Sequence, residues 1–206
     1  MLNLHYAPGT ISAAVAITLH EAGLEFSTTR VDFKSAEQTT AAYHSINPKG
    51  RVPALETPQG VLTETGAILE YIAAIAPNST LVPTDPFAAA NMRALMYYLA
   101  STMHINHAHG MRGARWASQQ SSFKDMAAKV PETMAASCAY VETLITGPLV
   151  MGTNLTLADP YLFTVCSWLK GDGVDISAYP KLAAFFASMK TRPSVIATAR
   201  AGIIEV

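Results

Sequence analysis

The residues able to do acid–base or nucleophilic chemistry fall into short clusters. His104, His107 and His109 stand within six residues of one another. Three imidazoles invite a metal reading, but no carboxylate or cysteine lies close by in sequence. Their spacing also does not repeat one helix face, so no metal site is expected. Arg112, Arg115 and Trp116 follow just beyond, able to meet an anionic ligand or to complement a helix C-terminus. Near the start, Tyr6-Ala7-Pro8-Gly9-Thr10-Ile11-Ser12 places two hydroxyls where an apolar helix begins, and either can cap it. Glu64-Thr65 opens a second apolar run. An amide and hydroxyl at a helix N-terminus suit a carboxylate, and the glutamate suits an ammonium. Cys138 and Cys166 sit far apart among apolar neighbours and read as buried small hydrophobes of a reducing compartment.

The stretch Asn47-Pro48-Lys49-Gly50-Arg51-Val52-Pro53-Ala54-Leu55 is turn chemistry running into a strand. Pro48 presets φ and Gly50 supplies any positive φ the turn needs. Pro53 cannot donate to a ladder, so its strand is at an edge, at a bulge, or just starting. A cis Val52-Pro53 bond would turn the Val52 backbone N–H and C=O toward a ligand, whereas spacing alone favours an ordinary trans proline.

The elements that must hold these groups follow from periodicity. Leu2, Leu4 and Tyr6 alternate with Asn3 and His5, the pattern of a half-buried strand. A helix over 13–22 ends at Gly23, a strand spans 26–31, and a polar helix spans 35–46. Strands at 53–56 and 61–63 form a hairpin, and a helix over 65–76 presents Ile68, Leu69, Ile72 and Ile75 on one face. The order βαβ, α, ββα predicts two parallel strands plus an antiparallel hairpin: an α/β thioredoxin-like domain over 1–76. Residues 77–86 are rich in Pro, Ser, Thr and Asn and read as a linker. Beyond them the pattern is helical only, at about 87–109, 123–146, 157–170, 180–190 and 194–201, an all-α domain over 87–206. Thr156-Leu157-Ala158-Asp159 fits a capping box.

Asn-Pro-x-Gly-x-Val-Pro-x-Leu followed by Leu62-Thr63-Glu64-Thr65-Gly66-Ala67-Ile68-Leu69-Glu70-Tyr71 resembles the cytosolic glutathione transferases, closest in appearance to the bacterial beta class. The likeness spans essentially the whole chain. It implies a glutathione site in the first domain and a second-substrate pocket completed by the helical one. Glutathione would meet Glu64 and Thr65 through its γ-glutamyl end and the Val52 backbone beside Pro53 through its cysteinyl unit. Lys34 and Arg51 are the further glutathione contacts. The family activates the thiol from the turn before the first helix. The beta-class cysteine position falls on Ile11, which puts thiol–disulfide chemistry in doubt. Ser12 ranks first as a thiolate donor, Thr10 second and Tyr6 third. Leu99-Ala100-Ser101-Thr102-Met103-His104 aligns with a beta-class stretch whose histidine points into the active site, so His104 joins the catalytic set. Ile11, Met103, His107 and Met111 are expected to line the second-substrate pocket.

Composition narrows the classes. The net charge of −1 argues against a nucleic-acid surface. Residues 1–80 carry four basic and seven acidic side chains and 81–206 carry ten and eight, too even to name a partner. No apolar run reaches the roughly eighteen residues of a membrane span, and residues 1–20 lack a basic leader. The expectation is a cytoplasmic, homodimeric detoxification enzyme that uses glutathione as co-substrate and no metal, its bound thiolate attacking a small, hydrophobic electrophile. The alternatives are a non-catalytic glutathione-binding or protein-interaction module, or a glutathione-dependent isomerase, reductase, dehalogenase or ether-cleaving enzyme on the same scaffold.

Overall fold

The computed structural model describes residues 1–77 and 79–205. It divides into two compact units, Met1–Pro83 with Lys190–Val206, and Thr84–Met189. In the first, β1 (Leu2–Tyr6), α1 (Ser12–Glu21) and β2 (Phe26–Arg30) form a βαβ opening, with β1 and β2 parallel. A short α2 (Ala41–His44) leads to β3 (Ala54–Thr57), β4 (Gly60–Thr63) and α3 (Thr65–Ile75). The sheet order is β2-β1-β3-β4, with β3 antiparallel to both its neighbours. This is the thioredoxin-like arrangement that the element order implied.

Every residue of α1 from Ser12 to Leu19 is buried. Its small side chains (three alanines and a serine among them) let other backbone approach on more than one side. Ile68, Leu69 and Ile72 of α3 are wholly buried, each worth roughly 2 kcal/mol of apolar transfer. Ile75, expected on the same face, is 40% exposed as the last residue of the helix.

His5 was expected on the polar side of a half-buried strand, yet it is only 4% exposed. The Tyr43 ring meets it edge-on at 6.1 Å, and Glu56 Oε1 lies 3.0 Å from its Nε2. A satisfied polar group tolerates that burial. The single polar helix expected over 35–46 is broken. Ala36 takes φ 56°, a 3-10 turn covers Glu37–Thr39, and Thr40 restarts the chain as the N-cap of α2 by accepting from the Tyr43 amide. Thr40 caps better than it propagates, and that local bond wins.

The second unit is helical: α4 (Pro86–Tyr98), α5 (His104–His109), α6 (Gln120–Leu144), α7 (Ala158–Cys166) and α8 (Pro180–Lys190). The expected 87–109 helix has the right extent, but a π-helical turn at Leu99–Met103 interrupts it. There the Ser101 hydroxyl donates back to the Tyr97 carbonyl at 2.8 Å. Such π turns often accompany functional positions. At the capping box, Asp159 accepts from the Thr156 amide at 2.7 Å, as expected. The Thr156 hydroxyl also donates to it at 2.8 Å, the Asp159 amide donates to the Thr156 carbonyl at 3.1 Å, and the Val150 amide adds a further bond to the carboxylate at 2.8 Å.

The chain returns to the first unit with α9 (Pro193–Arg200), which packs on α1. Arg192 clasps Glu21 at 2.7 and 2.8 Å, and the Ser194 hydroxyl donates to the same carboxylate. Residues after Lys190, read from sequence as the tail of the helical domain, thus belong with the first unit. Helical periodicity shows that a segment is a helix and says nothing about which core it joins. The linker expected at 77–86 includes Asn78, which lies outside the described residues.

Candidate functional site

Register brings the candidate residues of the first unit to one end of its sheet. His5 of β1 pairs with Ala54 of β3, and Ala54 pairs with Thr63 of β4. One step beyond that row lie Tyr6, Pro53 and Glu64. Arg30 pairs with Tyr6, so the loop carrying Lys34 leaves β2 at the same end. Both α1 and α3 begin there with their positive dipole ends; the first amides of α1 are bonded within the turn, Ser12 to the Thr10 hydroxyl and Ala13 and Ala14 to the Thr10 and Ile11 carbonyls. An anionic peptide fits such a surface.

Local bonds fix the loops. Asn47, 1% exposed, donates through Nδ2 to the Arg51 carbonyl at 2.7 Å, and the Tyr43 hydroxyl donates to the same oxygen at 2.8 Å. Burial, then the nearby Glu37 charge, pushes the Tyr43 phenol up to about 12, so it stays a donor at any physiological pH. The Val52-Pro53 bond is cis, against the trans form that spacing alone favoured. Turn composition does not encode the isomer. Pro53 is buried and Val52 half-buried, while Lys34 and Arg51 are exposed. Glu64 is exposed and holds φ 71°, ψ 118°, an uncommon backbone for a side chain other than glycine. Thr65, the first residue of α3, is 8% exposed.

The turn before α1 corrects the ranking of its hydroxyls. Ser12, placed first, has no exposed surface. A ligand atom cannot touch it in this conformation. Its Oγ lies 3.0 Å from Thr10 Oγ1, and Thr10 Oγ1 donates to the Ala7 carbonyl at 2.7 Å. A hydroxyl has one proton, so with Thr10's proton on Ala7 it is Ser12 that donates across the 3.0 Å contact. Thr10 is half-buried and is the reachable hydroxyl, while Tyr6 is 8% exposed and Ile11 4%. The Gly9 amide of this turn donates to the Ile203 carbonyl at 3.0 Å, so the C-terminal segment steadies it.

Residues 2–74 match the family described as Glutathione S-transferase, N-terminal domain, and residues 107–197 match Glutathione S-transferase, C-terminal domain. The chain belongs to the glutathione S-transferase family. A glutathione S-transferase from Escherichia coli O157:H7 is 31% identical, covering 94% of this chain and 95% of that protein. The crystal structure of a glutathione transferase homologue from Sulfitobacter, with bound glutathione, is 60% identical at a TM-score of 0.97, covering 98% of this chain and 99% of the other. A bacterial beta-class transferase from Sphingomonas chungbukensis is 30% identical at a TM-score of 0.83, with 97% and 98% covered.

Within this transferase, the first unit also contains a residue that sequence reasoning passed over. Lys49 reaches Thr63 Oγ1 at 2.7 Å and Glu64 Oε1 at 2.6 Å. Nothing local signals this, because the partners stand fourteen and fifteen residues away. In the helical unit, His104 and His107 both meet Trp168, at ring-centroid distances of 5.0 and 4.3 Å. His109 instead meets Trp116 edge-on at 4.6 Å. The three histidines therefore diverge, and among the described residues no three His, Cys, Asp or Glu side chains converge as metal ligands do. Met103 is fully buried and presents no surface to a ligand, whereas Met111 is 81% exposed. The expectation that Met103 lines a pocket is corrected by its position in the core of the π turn. Cys138 and Cys166 are buried and unbridged; burial first, and then the Asp172 charge, pushes the Cys138 thiol up to about 12. It is inert as a nucleophile. Among the described residues no helix is long and apolar enough to cross a membrane.

Proposed function

We propose that the protein is a working glutathione transferase whose bound thiolate attacks a small, hydrophobic electrophile. The observation that carries this reading is the meeting, at one sheet end, of Thr10, Val52-Pro53, Glu64 and Thr65 with the N-termini of α1 and α3. Thr65 and the first amides of α3 hold the γ-glutamyl carboxylate, and Glu64 receives its ammonium in place of Lys49. The Val52 backbone pairs with the cysteinyl unit, and Lys34 and Arg51 serve the glycyl carboxylate. Thr10 donates to the sulfur beside the positive end of α1. With Ile11 where a cysteine would form a mixed disulfide, the chemistry is substitution or addition by thiolate.

The same proposal takes the enzyme to be a cytoplasmic homodimer acting in detoxification. Phe87 and Tyr97 of α4, 75% and 69% exposed, are large apolar side chains of the kind an interface covers. Sedimentation at micromolar concentration should give twice the 22.0 kDa chain mass.

The deciding experiment is a titration with glutathione followed by heat and by the ultraviolet absorbance of the thiolate. Binding with thiolate at neutral pH is the expected result. Absence of binding at millimolar ligand would refute the reading.

A further inference from the structure

Residues from Lys190 onward belong to the same compact unit as the candidate glutathione site, and they grip α1 at both ends. Glu21 is the last residue of α1, and Arg192 clasps it at 2.7 and 2.8 Å while Ser194 donates to the same carboxylate. A carboxylate in a last turn opposes the helix dipole, so Glu21 gains from these partners rather than from its own helix. Before the other end of α1, the Gly9 amide donates to the Ile203 carbonyl at 3.0 Å. The aim of that carbonyl is set by the way α9 stops. Gly202 takes φ 70°, its amide donates to the Ala199 carbonyl at 2.9 Å, and the Ile203 amide donates to the Thr198 carbonyl at 3.2 Å. These are the paired bonds of a helix stop that a left-handed glycine permits. Thr198 and Ile203, which it joins, are both buried, so the stop is packed as well as bonded.

The grip at Gly9 falls on the turn that presents Thr10. In the free turn the Thr10 hydroxyl donates to the Ala7 carbonyl at 2.7 Å, whereas the Thr10 amide reaches that oxygen only at 3.4 Å. The side-chain bond is the stronger closure of the two. It is also the bond that Thr10 gives up when its proton turns to a sulfur. The turn then depends more heavily on the Gly9–Ile203 bond, at the residue before Thr10, to keep the hydroxyl in place. We propose that the C-terminal segment is a positioning element for thiol activation: Gly202 and Ile203 hold the Thr10 turn, and Arg192 docks the segment on α1. This rests on the transferase reading above, with Thr10 as the donor to the sulfur. Gly202, Ile203 and Arg192 all act through Thr10.

The test uses Gly202→Ala in the full chain. A Cβ at this position meets nothing within 4 Å, so the change disturbs only the backbone conformation that aims the Ile203 carbonyl. The readouts are thiolate absorbance against pH in the glutathione complex, and the melting temperature. The thiol pKa should rise by up to about one unit, which is what the Thr10 bond supplies. A merely structural role would lower the melting temperature and leave the thiol pKa where it was, and that result overturns the proposal. A second measurement asks whether the effect runs through Thr10. Added to Thr10→Val, Gly202→Ala should bring no further rise, because the group being positioned is gone. Shifts that add in full overturn the proposal. Should Gly202→Ala not fold, Arg192→Met loosens the same segment from its other end and carries the same expectations. If Thr10→Val alone leaves the thiol pKa unmoved, the Thr10 assignment fails and takes this proposal with it. Failure of wild-type protein to bind glutathione would instead sink the transferase reading itself.

Discussion

Replacing Thr10 by Val should weaken thiol activation far more than replacing Ser12 by Ala. In the free turn the Thr10 proton sits on the Ala7 carbonyl at 2.7 Å, and Ser12 donates to Thr10 at 3.0 Å. When a thiolate arrives, Thr10 must swing its proton to the sulfur and surrender the Ala7 bond. A bond to a charged acceptor is worth about 1.5–3 kcal/mol and a neutral one about 0.5–1.5. The net gain is therefore about 1–1.5 kcal/mol, or about one pKa unit on the thiol. Thr10→Val preserves shape and loses that gain, so the bound thiol should titrate about one unit higher and turnover at neutral pH should fall up to about tenfold. Ser12 acts only by polarising Thr10, a cooperative effect of about 10–30% of one bond, which translates to less than about twofold. The assay is the pH dependence of thiolate absorbance in the binary complex, with kcat/KM for an aryl halide measured in parallel. If Ser12→Ala raised the thiol pKa as much as Thr10→Val, the order in which Ser12 donates to Thr10 would be wrong. If neither raised it, the positive dipole end of α1 would be the whole of the activation.

Lys49→Met should tighten glutathione, by up to about fivefold at low salt, because Glu64 would no longer be shared between Lys49 and the incoming ammonium; calorimetry at two ionic strengths checks both the sign and the salt dependence. Asp159→Ala removes a fully buried acceptor of three hydrogen bonds, leaving the Val150 and Thr156 amides unmatched, and should cost about 3 kcal/mol in urea unfolding. For Glu21, burial alone would raise the carboxyl, but the bonds from Arg192 and Ser194 and the Arg192 charge outweigh it and hold the group below its ordinary 4.5. A depressed folded pKa gives stability that is present above the unfolded value and is lost as pH falls through the folded one. The melting temperature of wild type should therefore drop more steeply below about pH 4.5 than that of Arg192→Met, and parallel curves would argue against the linkage.

The parts of the molecule that sequence made legible are those whose cause is local. Alternation at Leu2, Leu4 and Tyr6 gave β1, a run of small apolar residues gave α1, and turn residues at 58–60 gave the β3–β4 hairpin. Glu64-Thr65 was legible as a helix opening for the same reason, since strand, cap and helix are consecutive. What escaped depends on partners brought together by packing. Ser12 looked like the better donor until its burial and its bond to Thr10 were seen. Lys49 read as a turn residue because Glu64 meets it only through β3–β4 pairing. His107 read as pocket lining, while Asp172, the residue that gives it a defined tautomer, lies sixty-five positions further on. Helical periodicity also could not assign α9 to the first unit, since its apolar face would serve either core and the deciding clasp joins Arg192 to Glu21, 171 residues away. A carboxylate set against one nitrogen of an imidazole and a hydroxyl sealed behind another hydroxyl are alike in this respect. In each pair the chemistry belongs to the contact, and only the fold makes the contact.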